Sequence, residues 1–346
     1  MKRILPKIFL SIGTLLLTLL LLEGVFRVFD IRGYHEDRIS EWRHALLGPA
    51  ERLPGVNVQF RPNTTFRFIY DNNPRGYFDE NNALVCRINK WGFRGPDFEK
   101  QKVPGTRRVM VLGDSFTFGE GVRLEDTFVR RMEEKLRRKT AQSLEVLNFG
   151  VSAWATRDET AYFKQAGVQF APDLVVVAYV LNDADHAGGL GLWNNFRREY
   201  EDRRFQSSYL INFIYTTIKR SIYGRRYVRK MAGSAVSPGE RGKWDLSFSM
   251  LSEIDKSARS RGMKFAVVLF PFMFELNDNY PFTDLHRMIT AGLTQYGIPV
   301  LDLLPAFKGQ DYLKLWAHPS DQHPNEKGHE IAAEAISDFV IQHNLL

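Results

Sequence analysis

The run Val109-Met110-Val111-Leu112-Gly113-Asp114-Ser115-Phe116-Thr117-Phe118-Gly119-Glu120-Gly121 decides how this chain is read. An apolar stretch of strand type stops at Gly113, Ser115 offers a hydroxyl two positions on, and Gly119 and Gly121 lead into a helical pattern expected over about Asp126 to Arg138. A serine thrown out where a buried strand gives way to a helix sits among unpaired backbone N–H groups at the positive end of the helix dipole. Developing negative charge is favoured there. The same residue also suits a plain capping role in the turn, and this stretch alone leaves both readings open.

Beyond it, elements alternate. Leu144 to Phe149 reads as a strand ending at Gly150, Arg157 to Gln165 as a helix, and Leu174 to Val180 as a strand apolar enough to be buried on both faces, ending at Leu181-Asn182-Asp183. A helix over Ser247 to Arg261, strands at Phe265–Phe270 and Ile298–Leu301, a helix near Asp284 to Tyr296 and a last helix over Glu326 to Gln342 continue the pattern. Strict alternation implies an α/β fold with a mostly parallel sheet between two helical layers, its sites at the carboxyl ends of the strands. Ser115, Gly150 and Asn182 all follow strand ends.

Before the core, Val56–Phe60, Thr65–Tyr70 and Ala83–Ile88 have strand character, with turn chemistry between the first pieces at Arg61-Pro62-Asn63 and Asp71-Asn72-Asn73-Pro74. A short helix is expected around Glu41 to Leu47. This region, with the turn Asn89 to Gly95, is read as a small β-containing support for the core, not as chemistry.

At the N-terminus, Lys2, Arg3 and Lys7 precede an uncharged apolar run from Ile8 to Leu22, and apolar character resumes after Glu23-Gly24 up to Phe29. A cleavable signal peptide is the rival reading and a buried core helix a third; no small-x-small cleavage site follows the run and no cysteine lies there for lipid attachment, so an uncleaved anchor is expected, its positive flank in the cytoplasm and its body outside. In a bacterium that would be the periplasm. Fifteen uncharged residues are short for a span, so Glu23 must sit near the interface or within a longer stretch. The expected organisation is an anchor over 1–29, a linker and support region over 30–105, and a main domain over 106–346 with an insert at about 187–244.

That insert holds most of the charge. The chain carries +7 overall, while Gly188 to Lys243 alone has twelve basic residues against four acids. Basic residues interleaved with Tyr200, Tyr209, Phe213, Tyr215 and Tyr227 suit an anionic membrane surface or acidic polymer; a solvated helical face reads equally well, and no nucleic-acid-reading module is present. The single cysteine, Cys86, excludes an internal disulfide and a cysteine-rich metal site.

Near the C-terminus stands Pro319-Ser320-Asp321-Gln322-His323-Pro324-Asn325. Pro324 keeps His323 out of a helix and Asn325-Glu326 marks the start of the last one, so His323 is expected on the loop leading into it. An imidazole can take a serine proton while a carboxylate orients it; Ser115, His323 and Asp321 supply those parts.

Taken in order, Gly113-Asp114-Ser115, Asn148-Phe149-Gly150, Leu181-Asn182-Asp183 and Asp321-Gln322-His323-Pro324-Asn325 resemble the four blocks of the SGNH hydrolase superfamily, also called the GDSL esterase/lipase family. The resemblance covers about Arg107 to the C-terminus and implies a three-layer, flavodoxin-like α/β/α sandwich. By position it makes Ser115 the nucleophile and His323 the base and acid, with an oxyanion hole from the N–H groups of Ser115 and Gly150 and the side-chain amide of Asn182. One departure stands out: the family usually places its acid three residues before the histidine, here Ser320, whereas Asp321 is two before. Asp321 is kept as the orienting acid.

The expected activity is that of a membrane-anchored serine esterase acting on acylated glycan or lipid, O-acetyl esters included, through an acyl-serine intermediate and without cofactor or metal. An O-acyltransferase passing the group to an extracytoplasmic polysaccharide, and a non-catalytic glycan- or membrane-binding module on the same fold, are the alternatives. Asp114 is expected to tie its turn, His329 to be structural, His318 to line the entrance, and Asp183, Asp185 and His186 to form a polar cluster rather than a metal site.

Overall fold

The computed structural model describes residues 5–29, 31, 38–184 and 207–346, which fall into two compact units. The first comprises Met1–Asp37 with Trp193–Lys230, the second Arg38–Leu192 with Met231–Leu346.

In the larger unit, β4 (Arg107–Gly113), β5 (Leu144–Gly150), β6 (Leu174–Tyr179), β7 (Lys264–Leu269) and β8 (Val300–Asp302) form a five-stranded sheet in the order β5-β4-β6-β7-β8, parallel throughout. The expected parallel α/β sheet is present. Val109 to Leu112 and Leu174 to Tyr179 are buried on both sheet faces, and each large apolar side chain so placed contributes about 1.5–3 kcal/mol of transfer free energy. The chain moves left from β4 to β5, then right through β6, β7 and β8. Right-handed crossovers therefore put α3 (Phe128–Thr140) on one face, and α4 (Thr156–Gln165), α6 (Pro238–Arg259) and α7 (Thr283–Gln295) on the other. The last helix, α8 (Glu326–Gln342), packs on α3, where Lys135 pairs with Glu330 and Glu334.

This strand order reverses direction between β4 and β6, the crevice where open α/β sheets place their ligands. Register sharpens the point. Gly113 lies opposite Gly150 on one side and Ala178 on the other, so the loops after β4, β5 and β6 leave the sheet at one level.

The preceding region forms a separate antiparallel sheet, β1 (Arg38–Ser40), β2 (Thr65–Tyr70) and β3 (Ala83–Arg87), in that order. Val56–Phe60 does not form the expected strand; only a single bridge joins Phe60 to Leu46, because the chain there turns to make contacts such as that of the Asn57 N–H with Asp158. The buried Arg94 guanidinium donates to the carbonyls of Phe118, Gly119 and Val122, tying this region to the turn that follows Ser115. Cys86 is buried in the same sheet.

In the smaller unit, α1 (Leu5–Val28) runs through Glu23 without a break. At 1.5 Å per residue its 24 residues exceed the roughly 30 Å of a bilayer core, and it is the one helix among the described residues long and apolar enough to cross a membrane or serve as a signal anchor. Glu23 faces the first turn of α5 (Tyr209–Gly233), accepting from the Ser208 hydroxyl at 2.8 Å and from the N–H groups of Tyr209 and Leu210 at 3.1 and 3.0 Å. An acid beside an apolar span thus caps a helix N-terminus, where a negative charge is favoured. The first part of the basic insert, through Gln206, lies outside the described residues, as do Asp185 and His186.

Candidate active site

Ser115 opens a one-turn helix, α2 (Ser115–Phe118), directly after β4. Asp114 caps it, its carboxylate accepting the Phe116 N–H at 2.9 Å, and Gly119 ends it in the left-handed conformation. Asp114 therefore ties the turn, as its type suggested. Burial pushes its carboxyl up to about 6, against the lowering effect of that N–H bond.

His323 reaches the serine from far along the chain, on a short strand and not on the expected loop. β9 (Trp316–His318) and β10 (Asp321–Pro324) form a small antiparallel hairpin, and the irregular register between Asp321 and Pro324 leaves room for His323 to turn toward α2. His323 Nε2 stands 2.8 Å from Ser115 Oγ, and Nδ1 stands 2.5 Å from Asp321 Oδ1. With Nδ1–H donating to the carboxylate, Nε2 carries the lone pair and accepts from the serine hydroxyl. The His323 backbone N–H also donates to Asp321 Oδ1, at 3.2 Å, so one oxygen grips both the ring and the chain of its neighbour but one. Ser320, at the commoner acid position, instead faces His318, 2.7 Å from its Nδ1.

The expected oxyanion donors lie at the three adjacent strand ends. Among the described residues nothing accepts from the Ser115 N–H. The Gly150 N–H donates to Asn148 Oδ1 at 2.8 Å, while the Asn148 amide donates to the Thr117 carbonyl at 2.8 Å. The half-buried Asn182 turns its amide nitrogen toward Asp114 Oδ2, 3.5 Å away, a long contact that orients the group while leaving its second N–H available. A Cβ at Gly150 would fall 2.2 Å from the Phe118 nitrogen, so glycine is required there by the close approach of α2 itself.

Two neighbours of this site carry no signal in a sequence pattern, and a third carries only part of one. Tyr70, in the region read as support, donates its hydroxyl to Asp321 Oδ2 at 2.8 Å. Buried Glu120 brings Oε2 to 3.8 Å from His323 Nδ1. Asn148 belongs to a recognised block, but its tether to Thr117 emerges only from the sheet register. Glu120, Asp321 and His323 together are a grouping of metal-ligand types, with ligand atoms within 4.8 Å of one another. Both nitrogens of the ring already face partners, Asp321 and Ser115, which suits proton transfer.

Of the other expected residues, His318 is buried, its Nε2 3.1 Å from Asn72 Oδ1, and burial lowers its basicity; it packs behind the site and does not line an entrance. His329 accepts the Phe128 N–H on Nδ1, and burial takes its pKa down to about 3, in keeping with a structural role. Beneath the strand ends, Asp183 and Glu159 are fully buried and both held well above the usual carboxylate value by that burial; both Glu159 oxygens and Asp183 Oδ1 lack a hydrogen-bond partner among the described residues.

A family model described as GDSL-like lipase/acylhydrolase matches residues 111–331, most of the chain. The chain belongs to that family. It is accordingly an ester-hydrolysing enzyme of the GDSL type. A comparison with curated proteins finds no match. Among solved structures, a lipolytic protein of the G-D-S-L family from Desulfitobacterium hafniense is 16% identical, aligning 67% of this chain with 98% of its own at a TM-score of 0.41. TesA is 14% identical over 69% of this GDSL chain and all of its own, at 0.45. A variant of an acetyl-xylooligosaccharide esterase from a Geobacillus is 18% identical over 69% and 96%, at 0.41.

Proposed function

We propose that this GDSL enzyme is a membrane-anchored serine esterase in which Ser115 is the nucleophile, His323 the general base and acid, and Asp321 the group that orients and charge-balances the imidazole. The observation that carries the reading is the unbroken series Ser115 Oγ, His323 Nε2, His323 Nδ1, Asp321 Oδ1, with separations of 2.8 and 2.5 Å across its two hydrogen bonds.

The chemistry follows from that series. Ser115 Oγ attacks the ester carbonyl as its proton passes to His323 Nε2, and the imidazolium is stabilised by Asp321. Charge gathers on the former carbonyl oxygen, which in this reading is received by the N–H of Ser115, the side chain of Asn182 and the N–H of Gly150, the last by sharing or releasing its bond to Asn148. Collapse breaks the bond to the alcohol, whose oxygen takes the proton back from Nε2. Water then attacks the acyl-serine, gives a proton to the same nitrogen, and releases the acid as Ser115 recovers its hydrogen.

In this reading α1 spans the membrane with its N-terminus in the cytoplasm and the catalytic body, from about residue 106, outside. The exposed Ile211, Ile214, Ile218 and Ile222 share one face of α5, and exposed Arg225, Arg226 and Arg229 follow them along the helix. That pattern of an apolar stripe with cationic flanks suits an anionic lipid surface, and Glu23 joins this helix to α1. Substrates held at that surface, acylated glycans or lipids, fit such an anchored body.

The test is turnover by the detergent-solubilised full chain against acetylated sugars and short, medium and long acyl esters, weighing free acid against newly acylated glycan. Free acid as the main product supports hydrolysis. Acyl groups recovered mainly on a sugar hydroxyl would instead establish an acyltransferase built on the same residues.

A further inference from the structure

Asp321 has two oxygens, and the reading above uses one. Oδ1 serves His323, while Oδ2 accepts a hydrogen bond from the hydroxyl of Tyr70, 2.8 Å away, with both residues almost completely buried. Tyr70 closes strand β2, outside the stretch that matches the family model.

The strand is built to deliver that hydroxyl. Phe66, Phe68 and Tyr70 alternate onto the buried face of β2, as the period of a strand requires. Phe66 and Phe68 pack against Phe118, the last residue of the turn that Ser115 opens, with ring centroids 6.0 and 6.3 Å apart. One strand therefore supports the nucleophile turn with two side chains and reaches the acid with the third. The Tyr70 ring is itself fixed, stacked on Phe78 at 4.3 Å with 6° between planes, and lying 5.0 Å from His318. A Cβ at Gly121 would stand 3.2 Å from the Tyr70 oxygen, so the lack of a side chain there leaves the hydroxyl its place beside Asp321.

The donor matters because the imidazole faces two carboxylates. Glu120 Oε2 is 3.8 Å from His323 Nδ1, against 2.5 Å for Asp321 Oδ1. A carboxylate gripped at one oxygen by a fixed phenol cannot rotate about its own axis, so its other oxygen stays aimed at Nδ1–H. Released, Asp321 would keep its place in the hairpin and its bond from the His323 N–H but lose the grip on its second oxygen, loosening its aim and letting His323 lean toward Glu120, with Nε2 carried away from Ser115.

We propose that Tyr70 is a positioning residue of the active site, acting through Asp321 on His323, so that the N-terminal antiparallel sheet is part of the catalytic apparatus. The proposal rests on the assignment of His323 as the proton carrier.

Tyr70→Phe in the full chain keeps the stacked ring and deletes only the hydroxyl. It is expected to lower kcat about tenfold with KM within about twofold, a displacement effect on the reacting groups. In a double-mutant cycle, adding Tyr70→Phe to Asp321→Asn is expected to cost less than about twofold more, since the path it acts through is already cut. The downfield proton resonance of His323 Nδ1, followed in histidine-labelled protein, is expected to shift or broaden in Tyr70→Phe while the melting temperature shows the fold intact. Unchanged kcat and resonance, or losses that multiply fully in the double variant, would overturn the proposal. If the wild type turns over no ester while the resonance still responds to Tyr70→Phe, the positioning stands and the esterase assignment falls.

Discussion

Asp321 stands two residues before His323 and still meets its ring, with Oδ1 2.5 Å from Nδ1, while Ser320, one position earlier, bonds His318 instead. The short hairpin makes this possible: Asp321 and His323 both lie on β10, whereas Ser320 lies in the turn that joins it to β9. Asp321→Asn is therefore expected to lower kcat by roughly 10³–10⁴, by offering the imidazole the wrong partner, whereas Ser320→Ala should stay within about threefold of wild type. Steady-state kinetics on one chromogenic ester decides between them; equal losses would place the acid elsewhere.

Asn182 is expected to act on the transition state alone. Asn182→Ala should reduce kcat by about 10²–10³ with little change in KM, the usual cost of one oxyanion donor. A rise in KM at constant kcat would make the side chain a ground-state substrate contact.

Glu159 gives a pH-dependent prediction. Burial, reinforced by the charges of Asp114 and Asp158, raises its pKa in the folded protein, so the native state holds this proton more tightly than the unfolded chain does. The resulting penalty is absent below the ordinary carboxylate range and grows as pH rises toward the folded value. Glu159→Gln is neutral throughout and is expected to melt roughly 2–4 °C above wild type at pH 8, the two converging near pH 4. His329, held down to about 3 by burial, works in the opposite sense by withdrawing stability as pH falls below the usual histidine range, and it contributes equally to both proteins. A difference independent of pH would contradict the account.

How much of this was legible beforehand depends on the kind of contact. The core strands could be read because residues such as Val109–Leu112 and Leu174–Tyr179 are apolar without interruption, which a parallel sheet covered on both faces demands. Ser115, Gly150 and Asn182 could be placed at one edge because each follows a strand. Tyr70 could not, since nothing in a strand of alternating aromatics says that one of them ends on a carboxylate far along the chain. Pro324 excludes helix but not a short strand, so the sequence points His323 to a loop where the fold makes β10, and the strand-like residue types of Val56–Phe60 serve an irregular turn. The role of Glu23 is also hidden, because its partners, Ser208, Tyr209 and Leu210, lie far along the chain.

Glu23 itself supports a test. Replacing it in Glu23→Ala removes the acceptor for Ser208, Tyr209 and Leu210, a cap of the kind worth about 1 kcal/mol. Limited proteolysis in membranes should then cut near the start of α5 several-fold faster than in wild type, with esterase activity of the body preserved. Unchanged cleavage would show that the cap does not hold the helix.

The most direct measurement is covalent: intact-mass analysis of the full chain after exposure to a fluorophosphonate. The account predicts a single adduct mapped to Ser115, lost in Ser115→Ala and formed far more slowly in His323→Ala. A wild-type chain that takes no label, or a Ser115→Ala chain that takes it at the same rate, would contradict it.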